Sequence, residues 1–492
     1  MTLASISHSQ RKRWAALAVI VAAQFMVILD VAIVNVALPA IKADLGFSQE
    51  SLQWVITAYS VLFGGVLMLG GRMADLFGRR RLFMIGVAVF TMSSLLSGLA
   101  WSEGSLIAFR AAQGLGGALL APAALSILTT TFREGRERNV ALGVWGAASG
   151  SGGAAGVLLG GVLTSYLSWS WNFFINIPVG IAVIALAPWL LEESRAQLAH
   201  RRFDVAGAAS VTSGVMLLVY AMTRAVQHGW LNQTTIGLLA ASAALILAFV
   251  AIELRSQAPL LPMRIFRLRT LAAANATAVV IAAVAFSEFF LLTLYLQQVL
   301  AYSAIQTGLA FLAITLAVIV FSNVAQRLVT QLGPRRVLAT GLTLSAASIV
   351  VLARVPVDGH YFWDIFPAFV LSGIGLALSF VPMTIAGLAG VEPADAGVAS
   401  GLINTSRQIG GATGLAAAST IAATATTNYV TAHPGASVLG AVPLTHGFQD
   451  ALYVLAGLAV AGAVIAAVFI ESAPRRAPAE VEPEAAMLEE AA

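Results

Sequence analysis

Residues 11–38 read RKRWAALAVIVAAQFMVILDVAIVNVAL, a short basic cluster followed by a long apolar run. About 20 apolar residues in a helix are enough to cross the hydrocarbon layer of a bilayer. The run carries one acid, Asp30, and a charge inside the bilayer is costly unless it is paired or solvated. It is too long for the core of a signal peptide and has no convincing small-residue cleavage site. The stretch therefore predicts a retained membrane-spanning helix with an acid of functional interest.

Comparable apolar stretches recur along the whole chain. Of its 492 residues, 59% are hydrophobic and only 10% are charged, which fits lipid rather than water as the main solvent. The sequence predicts an all-α membrane protein with fourteen spans. These are expected near residues 14–38, 52–71, 82–100, 105–128, 139–163, 172–191, 204–223, 233–253, 271–297, 306–328, 337–355, 363–388, 397–424 and 448–470.

The positions of the 27 Lys and Arg residues predict the orientation. With the N-terminus inside, 22 of them fall in cytoplasmic segments, whereas Lys42, Arg224 and Arg354 fall outside and Arg110 and Arg407 lie within spans. This asymmetry predicts a multi-pass protein of the bacterial inner membrane with both termini cytoplasmic. The basic residues form no continuous face, which argues against nucleic-acid binding.

A weak internal repeat indicates how the spans are grouped. The segment GRMADLFGRRR at 71–81 is matched by QRLVTQLGPRR at 326–336 when Gly78 is aligned with Gly333. Duplicated halves around a central site are a common transporter plan. The predicted organisation is an N-terminal six-helix half at 1–195, two additional helices at 196–258, a C-terminal six-helix half at 259–474 and a disordered cytoplasmic tail at 475–492. The two additional helices carry little charge, and we expect them to be peripheral.

Several motifs together resemble the fourteen-helix drug:proton antiporter group of the major facilitator superfamily. They are LDVAIVNVALP at 29–39, the 71–81 segment, RAAQG at 110–114, the glycine-rich fifth span at 146–161, and WSWN with NIPVG between 169 and 180. The resemblance covers nearly the whole chain. It implies the major facilitator fold, a monomer, and proton-driven export of small hydrophobic or amphipathic compounds such as drugs or antibiotics by alternating access.

The fifth span resembles the antiporter motif of that group. Val157 follows Gly156 where the motif has proline, and this departure weakens the expectation of a functional kink. Small residues allow a neighbouring helix to approach closely, so the glycines either serve packing alone or, as the resemblance implies, form a seam that limits leak. They are Gly146, Gly150, Gly156, Gly160 and Gly161.

The 71–81 segment is predicted to be a shaped cytoplasmic loop. Asp75 is expected either to pair with Arg79 or Arg80, to cap a helix N-terminus, or to be an ordinary solvated charge. The resemblance implies that it steadies a gate that is closed towards the cytoplasm. The predicted gating residues are Gly71, Arg72, Asp75, Gly78, Arg79 and Arg80.

Four charges within predicted spans are the candidate proton-coupling residues: Asp30, Arg110, Glu288 and Arg407. Asp30 and Arg110 lie at compatible depths in their helices. A carboxylate that exchanges an arginine partner for a proton can couple transport to a gradient, since arginine stays charged. The alternative is a permanent salt bridge. Glu288 is a second proton site, a counter-charge for a cationic substrate, or a structural partner of Arg407.

Further polar and aromatic side chains within the spans are candidates for a substrate cavity, or are simply interhelical contacts. No metal-ligand spacing, Walker loop or catalytic nucleophile set is found, and cysteine is absent. We therefore expect no enzyme, no metal and no cofactor, with the proton gradient as the energy source. A small molecule and the lipid bilayer are the expected partners. Proton-coupled uptake, or lipid or metabolite translocation on the same scaffold, is the alternative function. The candidate cavity residues are Gln24, Asn35, Tyr59, Gln113, Phe286, Tyr295, Asn404 and Gln408.

Overall fold

The computed structural model describes residues 3–132, 134–195, 204–256 and 259–471. Within these ranges the chain forms helices and no strand, as predicted. Several sequence predictions concern residues outside the described ranges. These are the cytoplasmic arginines Arg133, Arg201, Arg202, Arg475 and Arg476, the start of the two-helix segment at 196–203, and the tail at 475–492.

The first eight helices correspond to the first six predicted spans. Two of them, α2 and α7, are single short turns that precede longer helices. Their bounds are α1 Leu3–Leu45, α2 Gln49–Leu52, α3 Trp54–Phe77, α4 Arg79–Gly98, α5 Glu103–Thr131, α6 Arg136–Tyr166, α7 Trp171–Phe174 and α8 Asn176–Leu190.

The remaining helices correspond to the last eight predicted spans. Short turns of other helix types lie at their ends. Two are 3₁₀ turns, Met263–Arg267 and Pro393–Asp395, and two are π-helical turns, Tyr295–Val299 and Tyr361–Ile365. Their bounds are α9 Val205–His228, α10 Gln233–Glu253, α11 Arg269–Leu294, α12 Ala304–Leu332, α13 Pro334–Leu352, α14 Phe366–Leu388, α15 Ala396–Ala432 and α16 Ala441–Phe469.

Twelve helices in the described part of the chain are long and apolar enough to cross a membrane, and bent α6 makes a thirteenth if it is one span. The helix α15, at the predicted thirteenth span, is 37 residues long but does not belong to that apolar set. Its many Ser, Thr and Gly residues lower its hydropathy, and most of its first half is buried against other helices. Length and apolarity therefore support twelve or thirteen spans in the described part of the chain and do not establish the predicted fourteen.

The two repeated segments break their helices in the same way. Gly78 ends α3 with φ 112° and Gly333 ends α12 with φ 81°, and each residue directly precedes the next helix. Both values lie in the left-handed region that glycine adopts without steric cost. The segment at 71–81 differs from the predicted loop, because residues 71–77 continue α3 and only Gly78 is non-helical.

The fifth predicted span bends although it lacks the proline of the antiporter motif. Its two parts, Arg136–Gly153 and Ala155–Tyr166, meet at 40°. The span is therefore bent without the proline, and whether the bend is functional stays a prediction. Glycine and serine are frequent in this stretch, including Gly150, Ser151 and Gly152, and such pairs are known sites of helix kinks.

The packing brings the two halves of the sequence together. Helices α3, α4 and α5 pack on one another, α11 packs on α15, and α13 packs on α14 and α16. The two groups meet where α6 lies along α12 and where α3 lies along α15. Of the two additional helices, α9 contacts both α3 and α15, whereas α10 packs on α9. Both additional helices were expected to be peripheral, but only α10 is, because α9 packs between the two halves.

Candidate functional site

Asp30 lies at the junction of three helices and is completely buried. Its Oδ2 atom accepts a hydrogen bond from Arg110 Nη1 at 2.6 Å. Its Oδ1 atom accepts from Gln113 Nε2 at 2.8 Å and from Asn176 Nδ2 at 2.9 Å. One carboxylate on α1 thereby holds α5 and α8, and hydrogen bonds of this kind are what make a buried charge tolerable.

Arg110 has partners besides Asp30. Its Nε donates to the Val55 carbonyl at 3.1 Å, and its Nη1 also donates to Gln113 Oε1 at 2.7 Å. The guanidinium lies 4.4 Å from the centre of the Tyr59 ring, a cation–π arrangement. The side chain is 1% exposed. Arg110 is therefore held in place from α3 and α5 independently of the carboxylate.

Asn176 and Ser94 complete this buried network, and sequence analysis did not predict their role in it. Asn176 Nδ2 contacts Ser94 Oγ at 3.0 Å, and Ser94 Oγ donates to the Phe173 carbonyl at 2.9 Å. Asn176 belongs to the NIPVG motif, which contributes to the family resemblance but does not indicate which residue Asn176 contacts. Neutral polar residues are common in membrane helices, so only the fold reveals which of them meet.

Asp75 joins α3 to α15 and is also completely buried. Its Oδ1 accepts from Arg79 Nη2 at 2.7 Å and from the Gly397 N–H at 3.1 Å, and its Oδ2 accepts from the Val398 N–H at 3.1 Å. Arg79 Nη2 also donates to the Pro393 carbonyl. Of the three predicted roles, pairing with Arg79 and helix capping are both observed, and the solvated-charge interpretation is wrong.

The backbones at this gate are in close contact. A Cβ atom added to Gly71 would clash with the Gly397 carbonyl oxygen, and one added to Gly397 would clash with the Gly71 carbonyl oxygen. One turn further on, a Cβ on Gly401 would lie 3.0 Å from the Leu67 carbonyl oxygen. At the end of the bundle that contains Asp75, hereafter the gate end, α3 and α15 are thus in direct contact.

The other predicted gating residues lie beside this contact. Arg80 donates from its Nη1 to the Leu191 carbonyl at 3.1 Å, which ties α4 to the end of α8. Arg72 is 5% exposed and its Nη1 has no hydrogen-bond partner in the described chain. It lies within electrostatic range of Glu253 at the end of α10. Glu253 accepts hydrogen bonds from the Leu260 and Leu261 N–H groups at 3.0 and 3.2 Å. It is a buried acid that the sequence analysis did not identify.

Glu288 and Arg407 do not meet. Glu288 is 3% exposed, and its Oε1 accepts a hydrogen bond from Ser372 Oγ at 2.6 Å. The guanidinium of Arg407 lies 4.9 Å from the centre of the Phe380 ring, and its Nε is buried without a partner in the described chain. The interpretation of Glu288 as a structural partner of Arg407 is therefore wrong for this conformation.

The glycines of α6 face two neighbours. A Cβ on Gly156 would lie 2.7 Å from Ala32 Cβ and 2.8 Å from the Leu29 carbonyl, and one on Gly160 would lie 2.9 Å from the Ile33 carbonyl. Nearer the gate end, a Cβ on Gly146 would lie 2.7 Å from Val381 and one on Gly150 would lie 2.5 Å from Val318. The glycines thus let α6 approach α1 next to Asp30 and also approach α12 and α14.

The eight candidate cavity residues have different environments. Asn35 and Asn404 donate to carbonyls of their own helices at 2.8 and 2.9 Å, and Tyr295 donates to the Pro356 carbonyl at 2.6 Å. These three have structural partners. Gln24 and Tyr59 are buried and each has a side-chain oxygen without a partner in the described chain. Phe286 is 41% exposed and Gln408 is partly exposed, while Gln113 belongs to the Asp30 network.

Among the described residues, no group of three or more His, Asp or Glu side chains is arranged to hold a metal ion. An apolar bundle of long helices with a buried ion pair between them is the architecture of a polytopic membrane protein.

The chain belongs to the Major Facilitator Superfamily, whose family model matches residues 20–415. The membership makes it a transporter rather than an enzyme. It is 40% identical over 467 residues to the puromycin resistance protein pur8 of Streptomyces alboniger, an alignment that covers 94% of this chain and 92% of the relative. It is 42% identical to the cephamycin export protein CmcT of Amycolatopsis lactamdurans, over 82% of this chain and 84% of the relative.

A third relative is the tetracenomycin C resistance and export protein of Streptomyces glaucescens, 35% identical over 82% of this chain and 74% of the relative. Among solved structures, the crystal structure of the human organic anion transporter MFSD10 (TETRAN) superposes with a TM-score of 0.64. It covers 92% of this chain and 99% of MFSD10 at 16% identity. At that identity the likeness establishes the fold alone.

Proposed function

We propose that this transporter exports small hydrophobic or amphipathic compounds of the antibiotic type in exchange for protons, with Asp30 as the proton-coupling acid. The observation that carries the proposal is the fully buried Asp30–Arg110 ion pair at 2.6 Å. The relatives named for resistance to, or export of, puromycin, cephamycin and tetracenomycin C support the substrate class.

The geometry of Arg110 supports an exchange of partners. When a proton binds Asp30 Oδ2, the ion pair with Arg110 is lost, but Arg110 keeps the Val55 carbonyl, the Gln113 amide oxygen and the Tyr59 ring. Asp30 Oδ1 can still accept from Gln113 and Asn176. Protonation leaves Arg110 without a counter-ion, and its neutral partners offset only part of that cost, so the proton loosens α1 from α5.

The closed gate supports alternating access. With the proposed orientation, in which both termini are cytoplasmic and fourteen helices span the inner membrane, the Asp75 contact closes the cytoplasmic side. The two halves, 1–195 and 259–474, would rock against each other about their contacts. Helices α9 and α10 lie between these halves in the sequence. Because Asp30 is 0% exposed here, exchange of its proton requires another conformation, which ties protonation to the conformational cycle. The transporter acts as a monomer and the proton gradient supplies the energy without a cofactor.

Glu288 has two proposed roles once pairing with Arg407 is set aside. It is either a second proton site or a counter-charge for a cationic substrate. Its observed partner is the neutral Ser372 hydroxyl, so in this conformation no observed cation offsets a negative charge on Glu288 within the described chain. Either a proton or a substrate cation fits that environment.

The test is export by an efflux-deficient bacterium that expresses the wild type, Asp30→Asn or Glu288→Gln. We expect the wild type to lower dye accumulation and raise antibiotic resistance, a protonophore to cancel both, and Asp30→Asn to behave as the empty vector. If Glu288→Gln loses the export of cationic dyes alone, Glu288 is assigned to substrate recognition. If it loses the export of all dyes, Glu288 is assigned to proton coupling. Gradient-dependent export that persists in Asp30→Asn would remove the coupling role, and no export of any compound would remove the substrate class.

A further inference from the structure

A second polar site lies at the end of the bundle opposite the gate, between α3 and α9. It is a cavity of about 180 Å³, large enough to hold several water molecules or one phosphate-sized group. The first turn of α3 forms one wall with Trp54 and Thr57, and the last turns of α9 form the other with Tyr220, Arg224 and His228. The cavity shares no residue with the Asp30 network, although Val55, whose carbonyl accepts from Arg110, lies between Trp54 and Thr57 in the sequence.

Arg224 has no partner there. The buried Nε atom of Arg224 makes no hydrogen bond, and the described chain offers the guanidinium neither an ion pair nor an aromatic ring. In particular, Arg224 donates to none of the carbonyls at the C-terminal end of α9, so it does not cap that helix. No lining residue is an acid, so the positive charge of Arg224 is not neutralised by the cavity itself.

The surroundings favour an anion. The first turn of α3 contains no acidic residue, and the partial positive charge at its N-terminus is opposed by the partial negative charge at the C-terminal end of α9, so the side-chain charge of Arg224 decides the sign of the site. Thr57, Trp54 and His228 add side-chain donors around the same space. A phosphate group suits this set because an arginine fork and several single donors can share its oxygens.

The position of the cavity favours a lipid as the carrier of that phosphate. Trp54 is the first residue of α3, and its ring stacks on Tyr220 with centroids 5.5 Å apart. Arg224 is four residues from the end of α9, or roughly 6 Å along the axis. Trp and Tyr collect at the level of lipid head groups, and Trp54 is 41% exposed on the surface of the bundle.

We propose that the cavity between α3 and α9 binds the phosphate head group of an anionic membrane lipid, with Arg224 as its principal ligand. The acyl chains would lie along the outer surface of α3 and α9. Since Arg224 gives the site a positive charge that no lining acid offsets, it should select the anionic phosphatidylglycerol over the zwitterionic phosphatidylcholine. A bound lipid would also link the additional helix α9 to α3, whose other end forms the gate.

Native mass spectrometry of the detergent-purified full-length protein tests this proposal. The protein is titrated with dioleoyl phosphatidylglycerol, dioleoyl phosphatidylcholine or inorganic phosphate. We expect phosphatidylglycerol to bind the wild type in preference to phosphatidylcholine, and Arg224→Gln to weaken that binding about tenfold, as expected for loss of a charge-assisted hydrogen bond. Arg224→Lys should retain part of the affinity. Arg354→Gln, which removes an exposed arginine at the same end of the bundle, is the matched control and should bind as the wild type does.

Three results would overturn the assignment. Equal binding of the two lipids would exclude selection for an anionic head group. An unchanged affinity in Arg224→Gln, or an equal loss in Arg354→Gln, would exclude Arg224 as the ligand. Displacement of phosphatidylglycerol by inorganic phosphate, with the same dependence on Arg224, would assign the site to phosphate from solution instead of lipid.

Discussion

Asp30 uses two oxygens to hold three side chains from two other helices. The pair with Arg110 is shielded from water on all sides, and the flat face of Tyr59 covers the guanidinium. A buried ion pair contributes little net stability in general, because desolvation offsets its attraction. A small net contribution to stability is what the proposed switching role requires of this pair.

Tyr59 provides a test of how Arg110 is held. The ring faces the guanidinium, whereas the hydroxyl has no partner in the described chain. Tyr59→Phe should leave thermal stability and export unchanged, because only the unused hydroxyl is lost. Tyr59→Leu should lose the cation–π contact, about 0.5–2 kcal/mol, and lower both the melting temperature in detergent and the export rate. A Phe variant as impaired as the Leu variant would show that the hydroxyl, and not the ring, matters.

At this scale the sequence predicts charges better than it predicts their neutral partners. Asp30 and Arg110 stand out because few charges occur inside apolar spans, and helix geometry places them at similar depths. Asn176, Ser94 and Ser372 do not stand out, since asparagine and serine are frequent in these helices and most bond to their own backbone. Their roles depend on which helices are neighbours, and a single sequence does not supply that information.

The gate depends on how one helix end is built. Asp75 accepts N–H groups at the start of α15, where the helix dipole favours a negative charge. The same contact requires Gly71 and Gly397, since a side chain on either would meet the backbone of the other. Charge and close packing therefore act together at the same point.

Gly71→Ala should open this gate. The added methyl group would meet the backbone of α15, and overpacking of this kind costs about 1–3 kcal/mol. Because the chain has no cysteine, a single cysteine at the buried Ser400 of α15 can report the opening through its rate of maleimide labelling. We expect faster labelling in Gly71→Ala. Gly104→Ala is the control, since a Cβ there has nothing within 4 Å; equal labelling in both variants would contradict this account of the gate.

Two helices show why element-scale prediction fails in places. The bend in α6 arises without the proline that the motif would supply, because a run of glycines and serines leaves the backbone free to follow its neighbours. In α15, small and hydroxyl-bearing residues reduce hydropathy although the helix is long and well packed. Hydropathy measures preference for lipid, whereas a helix lined by other helices needs small residues instead.

The whole molecule places its proton-coupling candidate and its gate on connected helices. Tyr59 and Val55, which contact Arg110, lie in the first turns of α3, and Asp75 lies near the end of the same helix. A change in the Asp30 pair would therefore act on the helix that also carries Asp75 of the proposed gate. The overall arrangement follows from composition, charge asymmetry and the repeated segments, whereas the position of α9 between α3 and α15 does not, because its sequence carries no motif.

The most direct test of proton-coupled export is transport by the purified protein in liposomes. The substrate would be a radiolabelled antibiotic identified by the cellular assay. An imposed pH gradient should drive the wild type to accumulate it against its concentration gradient. Asp30→Asn should lose this uphill movement but keep substrate exchange without a gradient, which shows that the variant is folded and binds substrate. Uphill accumulation by Asp30→Asn at the wild-type level would contradict the assignment of proton coupling to Asp30.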